Sequence, residues 1–489
     1  MTSVSAHAGI SVEDAADRVS WWTLGFIGVA QFMVILDVTV VNIALPSISR
    51  ALNFSPTDLQ WVVTVYVLFT GGLMLLGGRS ADLFGRRRVF LVGLLVFSSG
   101  SIFAGLAWDD VSLIGARGVQ GLGAAIISPA ALSILTTTFS EGRERNLALG
   151  VWGAVGGFGA AAGVLLGGVF TEALSWEWIF FVNAPVGVAA LAFAPFLLGE
   201  SRNASAKRFD ALGAVLVTAG FATAVFALTQ ANTYGWSSAK TFGLFAGAAA
   251  LLASFVVVER RSEDPLMSFS IFRIKTVAGA NAAGFILSTA TMAMFLMLTL
   301  YMQQVLHFSP IKTGVSYLAV AVSVIVWSAV ASSLVTKVGV KPVLVTGMAV
   351  VTVGLLYFTQ VSAHGSYAGD LLPGFLVIAL GMGFSFVPIS IAALAGVDAK
   401  DAGLASGLIN TSQQIGSALG IAVLSAVAVA QTSDATRAGE RPADALTTGF
   451  HAAFWAGAAV AAAGVVASLL LVRRDELERT SPDLVPVPA

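Results

Sequence analysis

The chain has 489 residues, of which 57% are hydrophobic and 11% charged, less than half the charged share of about 25% in soluble domains. With 51 glycines, a residue frequent in membrane helices, it reads as a protein that crosses the bilayer many times. The net charge of −1 points to no nucleic-acid partner, and the lack of cysteine excludes disulfides and thiolate metal sites.

Residues 1–20 are polar, with Glu13, Asp14, Asp17 and Arg18, unlike the basic and then apolar start of a cleavable signal peptide. They are expected to form a cytoplasmic tail, and the first apolar run to be a retained helix. About 20 apolar residues span a bilayer, and fourteen runs are long enough. Six lie near 22–46, 59–79, 88–107, 112–137, 146–171 and 178–199. Two follow near 211–231 and 240–259. Six more lie near 276–304, 312–336, 342–361, 370–396, 402–430 and 448–472. The expected organisation is all-α: a bundle over 21–200, a linker with two extra helices over 201–274, a second bundle over 275–473, and a polar, Pro-rich tail over 474–489. The extra pair carries no deep charge in this reading.

An even span count places both termini on one side. With that side cytoplasmic, 20 of the 26 Lys and Arg residues fall inside and five outside (Arg50, Lys240, Lys312, Arg437 and Arg441), while Arg117 stays within a span. This is the asymmetry of the positive-inside rule.

In the first span, Asp37 interrupts "QFMVILDVTVVNIALP" (31–46). At 1.5 Å rise per residue it lies roughly 22 Å from the inner end and about 14 Å from the outer end. A charge near the middle of a span costs about 2.5–3.5 kcal/mol on insertion scales, so such a group marks an ion or proton path by default. Protonation removes that charge. The plainer alternative is a structural carboxylate capped by hydroxyls such as Thr39. In the fourth span Arg117 lies about 8 Å below the outer surface. It stays charged and needs a partner, or else snorkels to the interface. Gln120, Gly121, Ala124 and Ser128 share its helix face.

"GRSADLFGRRRVF" (78–90) joins spans 2 and 3, and "SSLVTKVGVKPVL" (332–344) joins spans 10 and 11. Gly85 matches Gly339, Arg87 matches Lys341 and Val89 matches Val343, whereas Asp82 meets Thr336. Each is the second loop of a six-span block once spans 7 and 8 are set aside. Duplicated halves with a site between them near the midplane are typical of secondary transporters. Gly78 and Gly85 permit close backbone approach, and Asp82 can pair with arginines or accept from a helix N-terminus. On span 5, Gly159, Gly163 and Gly167 recur every four residues, a spacing that lets helix backbones close up. This face is expected to seal against the opposite bundle.

Five stretches together carry a resemblance: "LDVTVVNIALP" (36–46), "GGRSADLFGRRR" (77–88), "LIGARGVQGLGAA" (113–125), "GFGAAAGVLLGG" (157–168) and "GLASGLINTSQQIGSALGIAV" (403–423). From about residue 20 to 475 the chain resembles the fourteen-helix drug:proton antiporters of the major facilitator superfamily. Two features depart from that pattern. Val164 follows Gly163 where the family usually has proline, and Glu177 stands between Trp176 and Trp178 where it usually has arginine.

The resemblance implies a major facilitator fold of two six-helix bundles plus two helices, in the cell membrane. It implies efflux of hydrophobic or amphipathic drugs or antibiotics by exchange for protons, with Asp37 and Arg117 in proton coupling. It implies a conformational gate of Gly78, Asp82, Gly85 and Arg86, with Asp82 meeting Arg86 and the start of span 13 near Ala402. The residue types point to an apolar, aromatic substrate pocket with a few amides; Trp61, Tyr66, Trp152, Tyr301, Asn410 and Gln414 are its candidate lining. Besides the bilayer, the expected partners are protons and a hydrophobic small molecule, with no nucleic acid; the expected state is a monomer. No cofactor or metal is expected: His7, His307, His364 and His451 are too scattered for zinc, and no nucleotide loop or nucleophile–base pair of an enzyme is present. Two other readings stay open: a proton-linked transporter of one dedicated metabolite, and a non-transporting membrane sensor or assembly protein.

Overall fold

The computed structural model describes residues 12–55, 58–139, 143–201, 211–262, 269–397 and 402–473. Fourteen helical passes occupy the fourteen apolar runs. In the first half they are α1 (Val12–Ala51), α2 (Trp61–Phe84), α3 (Arg86–Gly105), α4 (Asp110–Thr138), α5 (Arg143–Ala173) and α6 (Trp178–Leu197). The intervening pair is α7 (Ala211–Tyr234) and α8 (Ala239–Arg261). In the second half they are α9 (Lys275–Val305), α10 (Pro310–Val338), α11 (Val340–Phe358), α12 (Tyr367–Leu394), α13 (Ala402–Arg437) and α14 (Pro442–Leu471). Helix α1 begins at Val12, so part of the segment expected as a tail is helical.

Local chemistry sets the ends. Asp109 accepts from the Ser112 amide at 2.7 Å, while the Ser112 hydroxyl accepts from the Asp109 amide, a reciprocal cap that starts α4. Ser309 caps α10 ahead of Pro310, where a missing N–H is harmless. Gly85 and Gly339 take φ of 103° and 87° at the α2–α3 and α10–α11 turns, a region open to glycine. The Arg87 guanidinium then donates to Leu198 O at 3.1 Å, and the Lys341 ammonium donates to Leu469 O at 2.7 Å. In both halves, a base two residues past the turn glycine ties that loop to the sixth helix.

Helices α1–α6 pack among themselves, as do α9–α14. Two seams join these groups, α2 against α13 and α5 against α10. Helix α7 lies along the first seam, touching both α2 and α13, and α8 leans on α7. Gly72 of α2 admits Thr218 of α7, Gln60 donates to Thr229 at 3.3 Å, and Trp61 meets Phe226. The extra pair is not free of buried charge as expected: Glu259, near the end of α8, is 3% exposed.

At the seam end that holds Glu172, the halves touch closely. A Cβ on Gly168 would meet Pro310 O at 2.7 Å, and Gly314 abuts Val164 O. Glu172 Oε2 accepts from the Ile311 amide at 2.9 Å, and Gln303 donates to Ile43 O at 2.8 Å. Further along the Gly314 face of α10, Ile325 and Ser332 are exposed, Ile325 to 52%. Helices α5 and α10 are therefore in close contact at the Glu172 end, and beyond it Ile325 and Ser332 of α10 are uncovered. A cavity of about 560 Å³ lies outside the closed end, lined by Pro46, Arg50, Gln303, His307 and Pro310 among others.

Candidate functional site

The core of the first half holds a closed polar cluster. Asp37 of α1 and Arg117 of α4 are both 0% exposed. Arg117 Nη1 donates to Asp37 Oδ2 at 2.6 Å. The other carboxylate oxygen, Oδ1, accepts from Gln120 Nε2 at 2.6 Å and from Asn183 Nδ2 at 3.0 Å. Ser101 of α3 accepts from both amides, each at 3.1 Å, and donates to Phe180 O at 2.8 Å. Arg117 also donates to Gln120 Oε1 at 2.6 Å and to Val62 O at 3.0 Å. Its guanidinium lies 4.2 Å from the centre of the Tyr66 ring, a cation–π contact that gains strength when desolvated. Four helices therefore supply the side chains that fix one carboxylate.

This geometry excludes two of the plainer readings. Arg117 does not snorkel, because its charge ends on a carboxylate inside the bundle. Thr39 does not cap Asp37: its hydroxyl donates to Ile35 O and Leu36 O. Of the residues that complete the cluster, Gln120 was visible on the helix face of Arg117. Asn183 and Ser101 carry no sequence signal, since amides and hydroxyls recur throughout membrane helices.

The glycine stripe of α5 faces α1, not the opposite bundle as expected. Gly159 lies against Ile35 and Phe32, Gly163 against Thr39 and Leu36 O, and Gly167 against Val40. The opposite half is met by the adjoining ridge of Val164 and Gly168, about 100° around the helix. An α-helix turns by that angle per residue, so a correct glycine spacing does not identify the partner.

In the 78–90 loop, Arg86 Nη2 bonds Asp82 Oδ1 at 3.0 Å, Nε reaches Ser133 of α4 at 2.6 Å, and its backbone amide donates to Ser201 O at 2.9 Å. Glu200 is the acid that sequence reasoning missed. It lies 3.7 Å from Arg87 Nε and 3.6 Å from Arg88 Nε, and Gly85 leaves room for its carboxylate. The two arginines are thus tied to the end of α6, beyond any general charge bias. A Cβ on Gly78 would meet Pro129 at an ordinary 3.4 Å, and the tight α2–α4 crossing is at Gly77, against Ala125 O. The contact expected near Ala402 falls on residues 398–401 and on side chains 402–404, outside the described ones.

The six pocket candidates do not converge. Tyr66 is fully buried on Arg117. Tyr301 is fully buried too, and donates to Ser362 O at 2.6 Å beside Phe450. Trp61 faces α7. In this structure these three rings pack between helices. Trp152 is half-buried on α5. Asn410 is exposed on α13 and bonds back to Ser406 O, and Gln414 meets Gly71 at the α2–α13 crossing. Among the described residues no cluster of His, Asp and Glu could hold a metal.

With this geometry in view, comparisons with known proteins place the chain. The profile of the Major Facilitator Superfamily matches residues 27–421. The puromycin resistance protein of Streptomyces alboniger is 39% identical over 433 residues, covering 87% of this chain and 86% of its own. The cephamycin export protein of Amycolatopsis lactamdurans is 39% identical, covering 83% and 84%. The lincomycin resistance protein of Streptomyces lincolnensis is 36% identical, covering 86% and 87%. In fold the chain is similar to a bacterial homolog of the human lysosomal transporter Spinster, crystallised inward-facing and unoccupied, with a TM-score of 0.65 at 15% identity over 96% of this chain and 99% of that one. The profile and these relatives span most of the chain, and the chain is a multi-pass membrane protein that belongs to the Major Facilitator Superfamily.

Proposed function

We propose that this chain exports hydrophobic or amphipathic drugs or antibiotics in exchange for protons, by alternating access. The observation that carries the reading is the sealed Asp37–Arg117 pair inside one half, in a chain whose described side chains bring the halves into close contact at the Glu172 end of the α5–α10 seam. An acid there can switch its charge, and a charge switch beside a bistable seam biases one state over the other. The relatives named for puromycin, cephamycin and lincomycin support the export of antibiotics.

With Lys and Arg distributed by the positive-inside rule, both termini are cytoplasmic and the Glu172 end faces outward. The conformation is then closed outside and open inside, with Asp37 ionised against Arg117 after its proton has left. The working halves are 21–200 and 275–473, and 201–274 is an inserted hairpin. The proton gradient across the cell membrane drives the cycle without a bound cofactor, in a monomer.

The test is purified protein in liposomes with an imposed pH gradient and a fluorescent lipophilic cation. Gradient-driven accumulation that disappears in Asp37→Asn supports the reading; undiminished transport by that variant sinks it. The second reading, a transporter of one dedicated metabolite, is favoured by relatives each named for a single antibiotic. Competition separates the two: many unrelated amphiphiles compete under the first and one compound under the second.

A further inference from the structure

We propose that Asn183 is the group that lets Asp37 hold its proton, by turning its side-chain amide from donor to acceptor. The inference rests on the reading of Asp37 as the proton carrier.

The two oxygens of Asp37 are held differently. Oδ2 meets only Arg117, a donor that stays charged and never accepts. Oδ1 meets two amides, Gln120 and Asn183. A carboxylate accepts from all three, but a carboxylic acid must also donate one hydrogen bond. Arg117 offers no acceptor. Gln120 cannot turn its carbonyl toward Asp37 without giving up the 2.6 Å bond that this carbonyl accepts from Arg117. No side chain among the described residues holds the Asn183 carbonyl, and only its Nδ2 is engaged, with Asp37 and Ser101.

The protonation step then balances within the cluster. In the outward-open state, a proton from outer water forms an O–H bond on Asp37 Oδ1. The Asn183 amide rotates by about 180° about its terminal torsion, which is broad and roughly two-fold, so that its carbonyl accepts that O–H. Gln120 still donates to Oδ1 and Arg117 still donates to Oδ2. Ser101 loses one donor and keeps Gln120. The net charge of the pair changes from zero to +1, carried by Arg117. The charged and titratable groups facing Asp37 are Arg117 from α4 and Tyr66 from α2; α3 and α6 offer only neutral Ser101 and Asn183, and α5 meets the neighbouring residues of α1 through glycines.

The experiment is pH-difference infrared spectroscopy of the full chain in liposomes, reading the carbonyl stretch of protonated Asp37. The band is identified by its absence in Asp37→Asn. Asn183→Leu keeps the volume and removes both donor and acceptor. Its expected result is a band at a changed frequency, with a titration midpoint moved by at least about half a unit. An unchanged band and midpoint overturn the proposal. Should Asn183→Leu not assemble, Asn183→Ala serves, because it likewise removes both donor and acceptor; an unchanged midpoint there overturns the proposal equally. A structural role alone would lower protein yield or turnover without moving the band. If the native chain has no Asp37-dependent band at any pH while transport remains, the proton-carrier reading itself falls, and this proposal with it.

Discussion

Asp37 and Arg117 neutralise one another where neither is exposed, and among the described residues each is the other's charge compensation. Removing one partner of a buried pair costs about 3–5 kcal/mol because the remaining charge is stranded. Arg117→Ala is therefore expected to lower the melting temperature sharply in detergent, and Arg117→Ala with Asp37→Asn to recover part of the loss. A double variant no more stable than Arg117→Ala would mean that the pair is not coupled. Asp109 illustrates an acid of another kind, partly exposed at a helix start. The Ser112 hydroxyl and amide hold its carboxyl below the ordinary carboxylate range. A lowered folded value means that its stabilisation is present in full above the unfolded value of about 3.9 and is lost as pH falls through the folded one. The difference in stability between native chain and Asp109→Ala should be flat from pH 7 to 5 and shrink below about 4. A difference that persists unchanged at pH 3 would contradict the cap.

At the level of helices, α5 joins two jobs on adjoining faces: its glycines take in α1 and its Val164–Gly168 ridge meets α10. Gly163 has Thr39 and Leu36 O where a Cβ would stand, whereas a Cβ at Gly156 would make an ordinary 3.6 Å contact with Ile35. Overpacking a tight crossing costs about 1–3 kcal/mol. Gly163→Leu should thus destabilise by at least that much and impair transport, while Gly156→Ala is neutral or gains up to about 1 kcal/mol from helix propensity. Equal melting temperatures for the two variants would refute the assignment of faces. Much of this level was legible in the sequence. All fourteen passes follow from hydropathy, and the Gly85/Gly339 rhyme becomes two turns with positive φ and two matching ties to a sixth helix. What was not legible was partner choice. Hydropathy fixes that a helix is buried in protein or lipid, but not which neighbour a face meets, so the glycine stripe was assigned to the opposite bundle where it meets α1. Glu200 went unnoticed because an acid at a span end is ordinary until a loop folds onto it.

For the whole molecule, the lack of cysteine makes every introduced thiol a unique label. Spin labels at Val151 and Ile325, near the Arg86 end of the α5–α10 seam, are expected to lie far apart and to approach one another when acid is applied to the Glu172 side with substrate present. Labels at Phe170 and Val315 should move the opposite way. Distances that stay fixed at both ends under all conditions would exclude alternating access.

The two seams between the halves are not alike. One is a simple meeting of α5 and α10. The other is three helices thick, because α7 lies along both α2 and α13 and is itself backed by α8. A joint backed in this way is the stiffer of the two, so the rocking that opens one end and closes the other is expected to be taken up mostly between α5 and α10. A mutation that loosens or stiffens α7 would then change the rate of that rocking without touching the proton or the cargo.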